Sequence, residues 1–109
     1  MTVGKEKIKM YRYQRIGRVK NDKKSEAITW AKEIAEYINT KCSQVSVQVY
    51  AEVFGDLHII YWHADYKDLA TIESVLAQFM GDQEYWTLVN KGMEFFIEGS
   101  FRDTLLGSV

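Results

Sequence analysis

Proline is absent from the 109 residues, and cysteine occurs once, at Cys42. The lack of proline excludes a Pro-rich ligand segment or a rigid proline spacer. A single cysteine excludes an intramolecular disulfide, which fits a reducing compartment. No apolar run approaches the roughly 18 residues that cross a bilayer, and the N-terminus lacks an apolar signal core. We therefore expect one cytoplasmic domain with no membrane contact.

Charge is unevenly distributed along the chain, although the net charge is only −1. Residues 1–24 carry nine basic and two acidic side chains, whereas the remaining residues have a net charge of −8. A basic arm of this kind can bind phosphates. No nucleic-acid motif accompanies it, so we interpret it as a solvated outer strand and loop whose charge discourages aggregation. The sequence therefore predicts no nucleic-acid partner.

The order of strands and helices follows from the spacing of apolar residues. Ser25 is expected to cap the first helix, and Asp65 the second, with Asp68 completing a capping box. Gly81 and Asp82 break the second helix into two pieces. The predicted elements are a strand over 7–17, a helix over 25–40, strands over 45–54 and 56–64, a broken helix over 65–99, and a strand over 101–106. This β-α-β-β-α-β order predicts a ferredoxin-like α+β fold, in which an antiparallel sheet has both helices on one face.

The strand over 56–64 is apolar on both of its faces, because side chains alternate across a strand. A two-residue turn at 55–56 pairs it with the preceding strand and places Tyr50 opposite Tyr61. One face carries His58, Ile60, Trp62 and Ala64, and the other carries Leu57, Ile59, Tyr61 and His63. The helices of so short a chain cover one face of the sheet. We expect the Trp62 face under the helices, and a homodimer formed through the Tyr61 face.

Three short stretches give a family resemblance: Trp62-His63-Ala64-Asp65-Tyr66, Gly81-Asp82-Gln83-Glu84-Tyr85, and Phe95-Phe96-Ile97-Glu98-Gly99-Ser100. With them the chain resembles the dimeric α+β barrel superfamily, in which sheets pair across a two-fold axis. The resemblance covers residues 56–106, and extends to the N-terminal half through its β-α-β pattern. It implies the ferredoxin-like fold and a dimer. The superfamily includes cofactor-free monooxygenases, haem-degrading enzymes and many uncharacterised proteins.

The resemblance does not carry a cofactor to this chain. The haem-degrading branch uses an Asn on its first strand, and strand one here has none. Neither histidine lies in the last two helical segments, where a proximal haem ligand is expected. His58 and His63 face opposite sides of the sheet, so they cannot share a metal ion. We therefore expect no metal and no cofactor, with haem binding kept as an alternative.

His58 is the candidate catalytic residue, because an imidazole with a near-neutral pKa can act as a general base in a pocket under the helices. The alternative is a histidine at the rim, bonded to a carbonyl or to water. The candidate binding residues are Trp62, Tyr50, Tyr61, Arg12 and His63. The aromatic residues among them suit a flat apolar ligand, and Arg12 suits an anionic group. The simpler interpretation places the aromatic residues in the core and the dimer interface, where such residues are enriched.

Two classes of function remain open from the sequence. The first is a protein that binds or oxidises a small apolar or aromatic molecule between sheet and helices, by monooxygenase-like chemistry without a cofactor. The second is a non-catalytic dimeric binding or assembly module, whose aromatic residues are used in the core and the interface. A cavity beside Trp62 would favour the first class.

Overall fold

The computed structural model describes residues 10–109. Its elements are β1 (Tyr11–Arg18), α1 (Lys24–Lys41), β2 (Val47–Ala51), β3 (Ile59–Tyr66), α2 (Leu69–Met80), α3 (Gln83–Gly92) and β4 (Arg102–Gly107). A single 3-10 turn, Met93–Phe95, follows α3. The start of the predicted first strand, at 7–9, and the basic residues Lys5, Lys7 and Lys9 lie outside the described residues.

The four strands form one antiparallel sheet in the order β2-β3-β1-β4. β1 lies in the centre, where it pairs with β3 on one side and with β4 on the other. Arg15 is thereby opposite Trp62 across one ladder and opposite Asp103 across the other. The arrangement confirms the predicted ferredoxin-like α+β fold, with the second helix divided at Gly81 into α2 and α3.

Two of the predicted helix caps are wrong, and one is confirmed. Ser25 lies inside the first turn of α1, because that helix begins one residue earlier and its N-cap, Lys23, makes no side-chain bond. Asp65 belongs to β3, and Asp68 is the cap of α2. Asp82 caps α3 as predicted, by accepting a hydrogen bond from a backbone N–H of the first turn. The carboxylates of Asp68 and Asp82 each accept a backbone N–H of the first helical turn, a donor that the helix itself leaves unpaired.

The hairpin between β2 and β3 has the predicted register but a longer loop. Tyr50 pairs with Tyr61 as expected, yet the ladder stops at Ala51, so a seven-residue loop replaces the two-residue turn. Val53 and Phe54, expected on the two faces of the strand, are 91% and 93% exposed in this loop. The Glu52 carboxylate explains the early end, because it accepts the backbone N–H of Asp56 at 2.8 Å and closes the loop on itself.

The core lies between the helices and one face of the sheet. Ile60, Trp62, Ala64 and Tyr66 alternate along β3 as buried residues under the helices. Trp30 of α1 meets Trp62 edge to face, with ring centroids 5.9 Å apart. Within residues 10–109, no helix has the length and apolar character that a membrane crossing needs.

Candidate functional site

A cavity of about 390 Å³ lies between the sheet and the helices. Its volume falls in the range of roughly 300–1,000 Å³ that is typical of small-molecule sites. The strands contribute Tyr13, Arg15, Val47, Trp62, Ala64 and Tyr66 to its lining. The helices contribute Trp30, Ile34, Ile38, Val75, Leu76, Phe79, Tyr85, Trp86 and Val89, and Met93 and Phe101 complete it. The walls are therefore largely aromatic and aliphatic, with few polar groups.

A small side chain contributes to the sheet side of the cavity lining. Ala64 stands between the larger Trp62 and Tyr66 on the same face of β3. On the helix side, the break at Gly81 separates α2 from α3, and both helices contribute to the lining. The Tyr37 hydroxyl of α1 fixes this break by donating to Asp82 at 2.6 Å. The sequence thus supplies a small residue on the sheet side of the cavity and a helix break on the helix side.

A charged group forms one side of the cavity. Arg15 donates from Nε to Asp103 Oδ1 at 2.7 Å and from Nη2 to Asp103 Oδ2 at 2.8 Å. The Tyr13 hydroxyl also donates to Asp103. The hydrogen bonds from Arg15 hold the pKa of the Asp103 carboxyl below its usual value. The hydrogen bonds to Asp103 also raise the pKa of the Arg15 guanidinium. Arg15 therefore lines the cavity as one partner of an ion pair, and its positive charge is neutralised by Asp103.

Two further phenols, Tyr66 and Tyr85, line the cavity. Burial raises the pKa of Tyr66 to about 12. Burial also raises the pKa of Tyr85. Both side chains are therefore neutral hydroxyls at neutral pH, able to donate a hydrogen bond to a molecule in the cavity.

The opposite face of the sheet carries four of the five predicted binding residues. Arg12 pairs with Asp65 through two bonds, at 2.8 and 2.9 Å. His63 bonds Gln14 at 2.8 Å, and burial followed by the charge of Arg12 lowers its pKa. Tyr50 and Tyr61 both have their rings close to that of His63, with centroids 5.0 and 6.1 Å away. The structure thus brings Arg12, Tyr50, Tyr61 and His63 together, but separates them from Trp62 by the thickness of the sheet.

His58 lies at the end of the hairpin loop, next to the first residue of β3. Its carbonyl accepts the backbone N–H of Val19 at 2.8 Å, and its own backbone N–H donates to Asp56 at 3.0 Å. The imidazole Nδ1 is 4.0 Å from Asp56 Oδ1 and the side chain is 36% exposed. His58 is not among the residues that line the cavity. Its catalytic role stays a prediction.

Metal and cofactor ligands are sparse around this site. Among residues 10–109, no three His, Cys, Asp or Glu side chains are placed to hold a metal ion. The cavity lining contains phenols, a guanidinium and indoles, but neither histidine nor cysteine. The arrangement is suited to shape recognition and to hydrogen bonding of a small molecule.

Among the polar groups of the site, sequence reasoning missed Tyr66 and Tyr85 of the cavity lining, and Asp103, which binds the lining residue Arg15. Tyr66 follows Trp62 and Ala64 at intervals of two residues, so extending the alternation of β3 would have placed it on the same face. Asp103 meets Arg15 only because β4 pairs with β1. That neighbour relation is a property of the sheet order and has no local signal in the sequence.

Comparison with known proteins gives one family match. The model of a family of unknown function (DUF6039) matches residues 12–106. No curated protein sequence matches the chain.

Several solved structures have the same fold at low identity. A NIPSNAP family protein from Agrobacterium tumefaciens is 16% identical, with a TM-score of 0.74 over 92% of this chain and 86% of that chain. A dimeric protein of unknown function and ferredoxin-like fold from Bacteroides fragilis is 14% identical, with a TM-score of 0.68 over 91% of this chain and 96% of that chain. A mutant of SnoaB, a cofactor-independent oxygenase from Streptomyces nogalater, is 10% identical, with a TM-score of 0.68 over 92% and 93% of the two chains. These neighbours agree with the predicted resemblance to the dimeric α+β barrel superfamily, and they show likeness of fold alone.

Proposed function

This chain belongs to the family of unknown function DUF6039, and we propose that it binds a small, flat, largely apolar molecule between its sheet and its helices. The observation that carries the proposal is the 390 Å³ cavity, whose lining is mostly aromatic and aliphatic. A core that used its aromatic residues for packing alone would leave no such space, because protein interiors are close-packed. The cavity therefore favours a binding protein over a module whose aromatic residues serve only structure.

The lining also indicates the shape of the ligand. Trp30, Trp62 and Phe79 present ring surfaces to the cavity, and Ala64 leaves room between them. Aromatic walls favour a planar ring system, because a flat ring can stack on the face of an aromatic side chain or contact it edge to face. The likeness to a cofactor-independent oxygenase concerns the fold, so the proposal is limited to binding and names no reaction.

We also propose that the protein is a homodimer through the open face of its sheet. A structural neighbour of the same fold is dimeric. On this chain, Tyr61 and His63 are half-buried on that face although none of the described helices covers it. Aromatic and arginine side chains on such a face are typical of protein interfaces.

Tryptophan fluorescence can test the proposed binding directly, because all three tryptophans of the chain line the cavity. We expect 2-acetylnaphthalene to quench this fluorescence saturably. Ala64→Phe should abolish the quenching, since the larger side chain fills the floor of the cavity. The matched control is Ala51→Phe, at an exposed position of β2. Unsaturable quenching, or equal quenching in the Ala64→Phe variant with its circular dichroism unchanged, would overturn the proposal.

A further inference from the structure

The hydroxyl of Tyr66 is an unused hydrogen-bond donor inside the cavity. The residue is 6% exposed and lines the cavity floor. Its phenol makes no hydrogen bond within the described part of the chain, where every sealed side-chain nitrogen or oxygen has a partner. An unbonded hydroxyl that is not sealed in the core touches open space, and the space beside Tyr66 is the cavity.

Tyr85 of α3 is in the same situation on the helix side. It lines the cavity and is half-buried, and its hydroxyl likewise bonds none of the described residues. The electrostatic influence of Tyr85 reaches Tyr66, so the two phenols lie in one neighbourhood. By contrast, the hydroxyls of four other tyrosines donate to Asp103, Asp82, Gln48 and Glu52. Tyr13 also lines the cavity, but Asp103 already engages its hydroxyl, so Tyr66 and Tyr85 are the phenols of the lining that bond no described residue.

We propose that Tyr66, together with Tyr85, donates hydrogen bonds to an uncharged acceptor, a carbonyl or ether oxygen, on the molecule that the cavity binds. This inference rests on the proposed function, and it names the polar group that distinguishes the ligand from a plain hydrocarbon. A ligand that fills the cavity excludes water from these hydroxyls, and an acceptor on the ligand supplies the hydrogen bond that a plain hydrocarbon would leave unmade. The two tyrosines are therefore specificity-determining residues.

An uncharged acceptor fits better than a carboxylate because of the charges already present. The guanidinium of Arg15 in the cavity wall is engaged by both oxygens of Asp103. An anion entering this largely apolar space would lose its hydration without gaining an unpaired cation. The phenols stay neutral at neutral pH, so they offer a donor without a countercharge.

Three probes of the same size separate these possibilities: 2-acetylnaphthalene, 2-isopropenylnaphthalene and 2-naphthoate. The first carries a carbonyl, the second replaces its oxygen with a CH₂ group, and the third is an anion. Their affinities for the full-length protein can be measured by equilibrium dialysis at neutral pH. We expect the ketone to bind about tenfold more tightly than the isopropenyl compound, and the carboxylate to bind most weakly.

The tyrosine variants then assign the preference to named hydroxyls. Tyr66→Phe should abolish the preference for the ketone while leaving the affinity for the isopropenyl compound unchanged, and Tyr85→Phe should reduce the preference. Tyr50→Phe is the control, because its hydroxyl lies on the opposite face of the sheet and bonds Gln48. Removing an unpaired hydroxyl should not destabilise the protein, so the variants are expected to fold.

The outcomes distinguish this inference from the proposed function. If none of the three probes binds, the proposed function fails and the inference fails with it. If the probes bind but the wild type does not favour the ketone, or the carboxylate binds most tightly, the inference alone is overturned. The same holds if Tyr66→Phe and Tyr85→Phe both keep the full preference.

Discussion

At the scale of single residues, Asp103 decides the electrostatic character of the cavity wall. It accepts two hydrogen bonds from Arg15 and one from Tyr13. The bonds from Arg15 lower the pKa of the Asp103 carboxyl from its ordinary value of 3.8, and partial burial opposes this change. An aspartate whose pKa is lower in the folded protein than in the unfolded chain stabilises the fold above the unfolded pKa. This stabilisation is lost progressively as the pH falls from 3.8, the ordinary pKa of the carboxyl, through the lower pKa that Asp103 has in the folded protein.

We therefore expect Asp103→Asn to be less stable than the wild type at neutral pH, with a difference that shrinks on acidification. The reason is that the wild-type carboxyl must take up a proton that the amide variant lacks. Urea unfolding followed by circular dichroism between about pH 7 and about pH 3 measures the difference. Asp22→Asn, in an exposed loop, is the control. A stability difference that is constant over this range would show that Asp103 acts through packing and not through its charge.

The residues of the site were predictable to the extent that they lie on one alternating strand. Trp62 was placed under the helices by alternation in β3, and the structure puts it in the cavity. Tyr50, Tyr61 and His63 were placed on the opposite face by the same rule, and they lie there. The pair of Arg15 with Asp103 was not predictable, because it joins positions 88 residues apart through the pairing of β1 with β4.

At the scale of elements, the spacing of apolar residues predicted which segments form helices and strands. Local hydrogen bonds determine the residues at which those elements end. The register that places Tyr50 opposite Tyr61 was predicted from a two-residue turn at 55–56, and the longer loop of the structure keeps that register. The hairpin ends early because Glu52 bonds the backbone of Asp56, a contact that alternation does not reveal. In the same way, Asp65 was assigned as a cap although Arg12 of the neighbouring strand binds its carboxylate in β3. A contact within the loop thus explains the error in the hairpin, and a cross-strand partner explains the error at Asp65.

The contact between α1 and α3 depends on one glycine. A Cβ placed on Gly92 would overlap the indole of Trp30. Trp30 is 3% exposed, and its Nε1 donates to the carbonyl of Leu88 at 2.7 Å, so the ring is held from both sides. Absence of a side chain at position 92 is therefore what lets the last turn of α3 lie on the indole.

We expect Gly92→Ala to lower the free energy of unfolding by about 1–3 kcal/mol, since a methyl group must displace a packed ring. Chemical denaturation provides the measurement. Gly81→Ala is the matched control, because a Cβ at that helix end meets nothing within 4 Å. It should leave stability unchanged or raise it slightly. In a Trp30→Leu background the cost of Gly92→Ala should shrink, and equal costs in both backgrounds would exclude the indole as its cause.

At the scale of the whole molecule, the two faces of the sheet have different surroundings. The helices and the cavity lie on the face of Trp62 and Tyr66. The other face presents Tyr50, Tyr61 and His63, and none of the helices within residues 10–109 lies over it. On this face Arg12 is paired with Asp65, whereas Arg102, opposite Ile16 in the register, makes no ion pair with a described residue, so a partner would meet aromatic surface and one unpaired guanidinium. This separation assigns ligand binding and self-association to opposite sides of one sheet.

The final prediction concerns that association. Light scattering on a size-exclusion column should give twice the chain mass of 12.7 kDa at micromolar concentration. Tyr61→Lys should give the monomer, because an interface burying about 800 Å² per partner would have to desolvate a charge at its centre. Ser74→Lys, on the exposed side of α2, adds the same charge away from the sheet and should stay dimeric. A monomeric wild type would overturn the proposed homodimer, and a Tyr61→Lys variant that remains a dimer would place the interface elsewhere. Because the cavity opens on the other face, quenching by 2-acetylnaphthalene in the monomeric variant would show that each subunit binds its ligand alone.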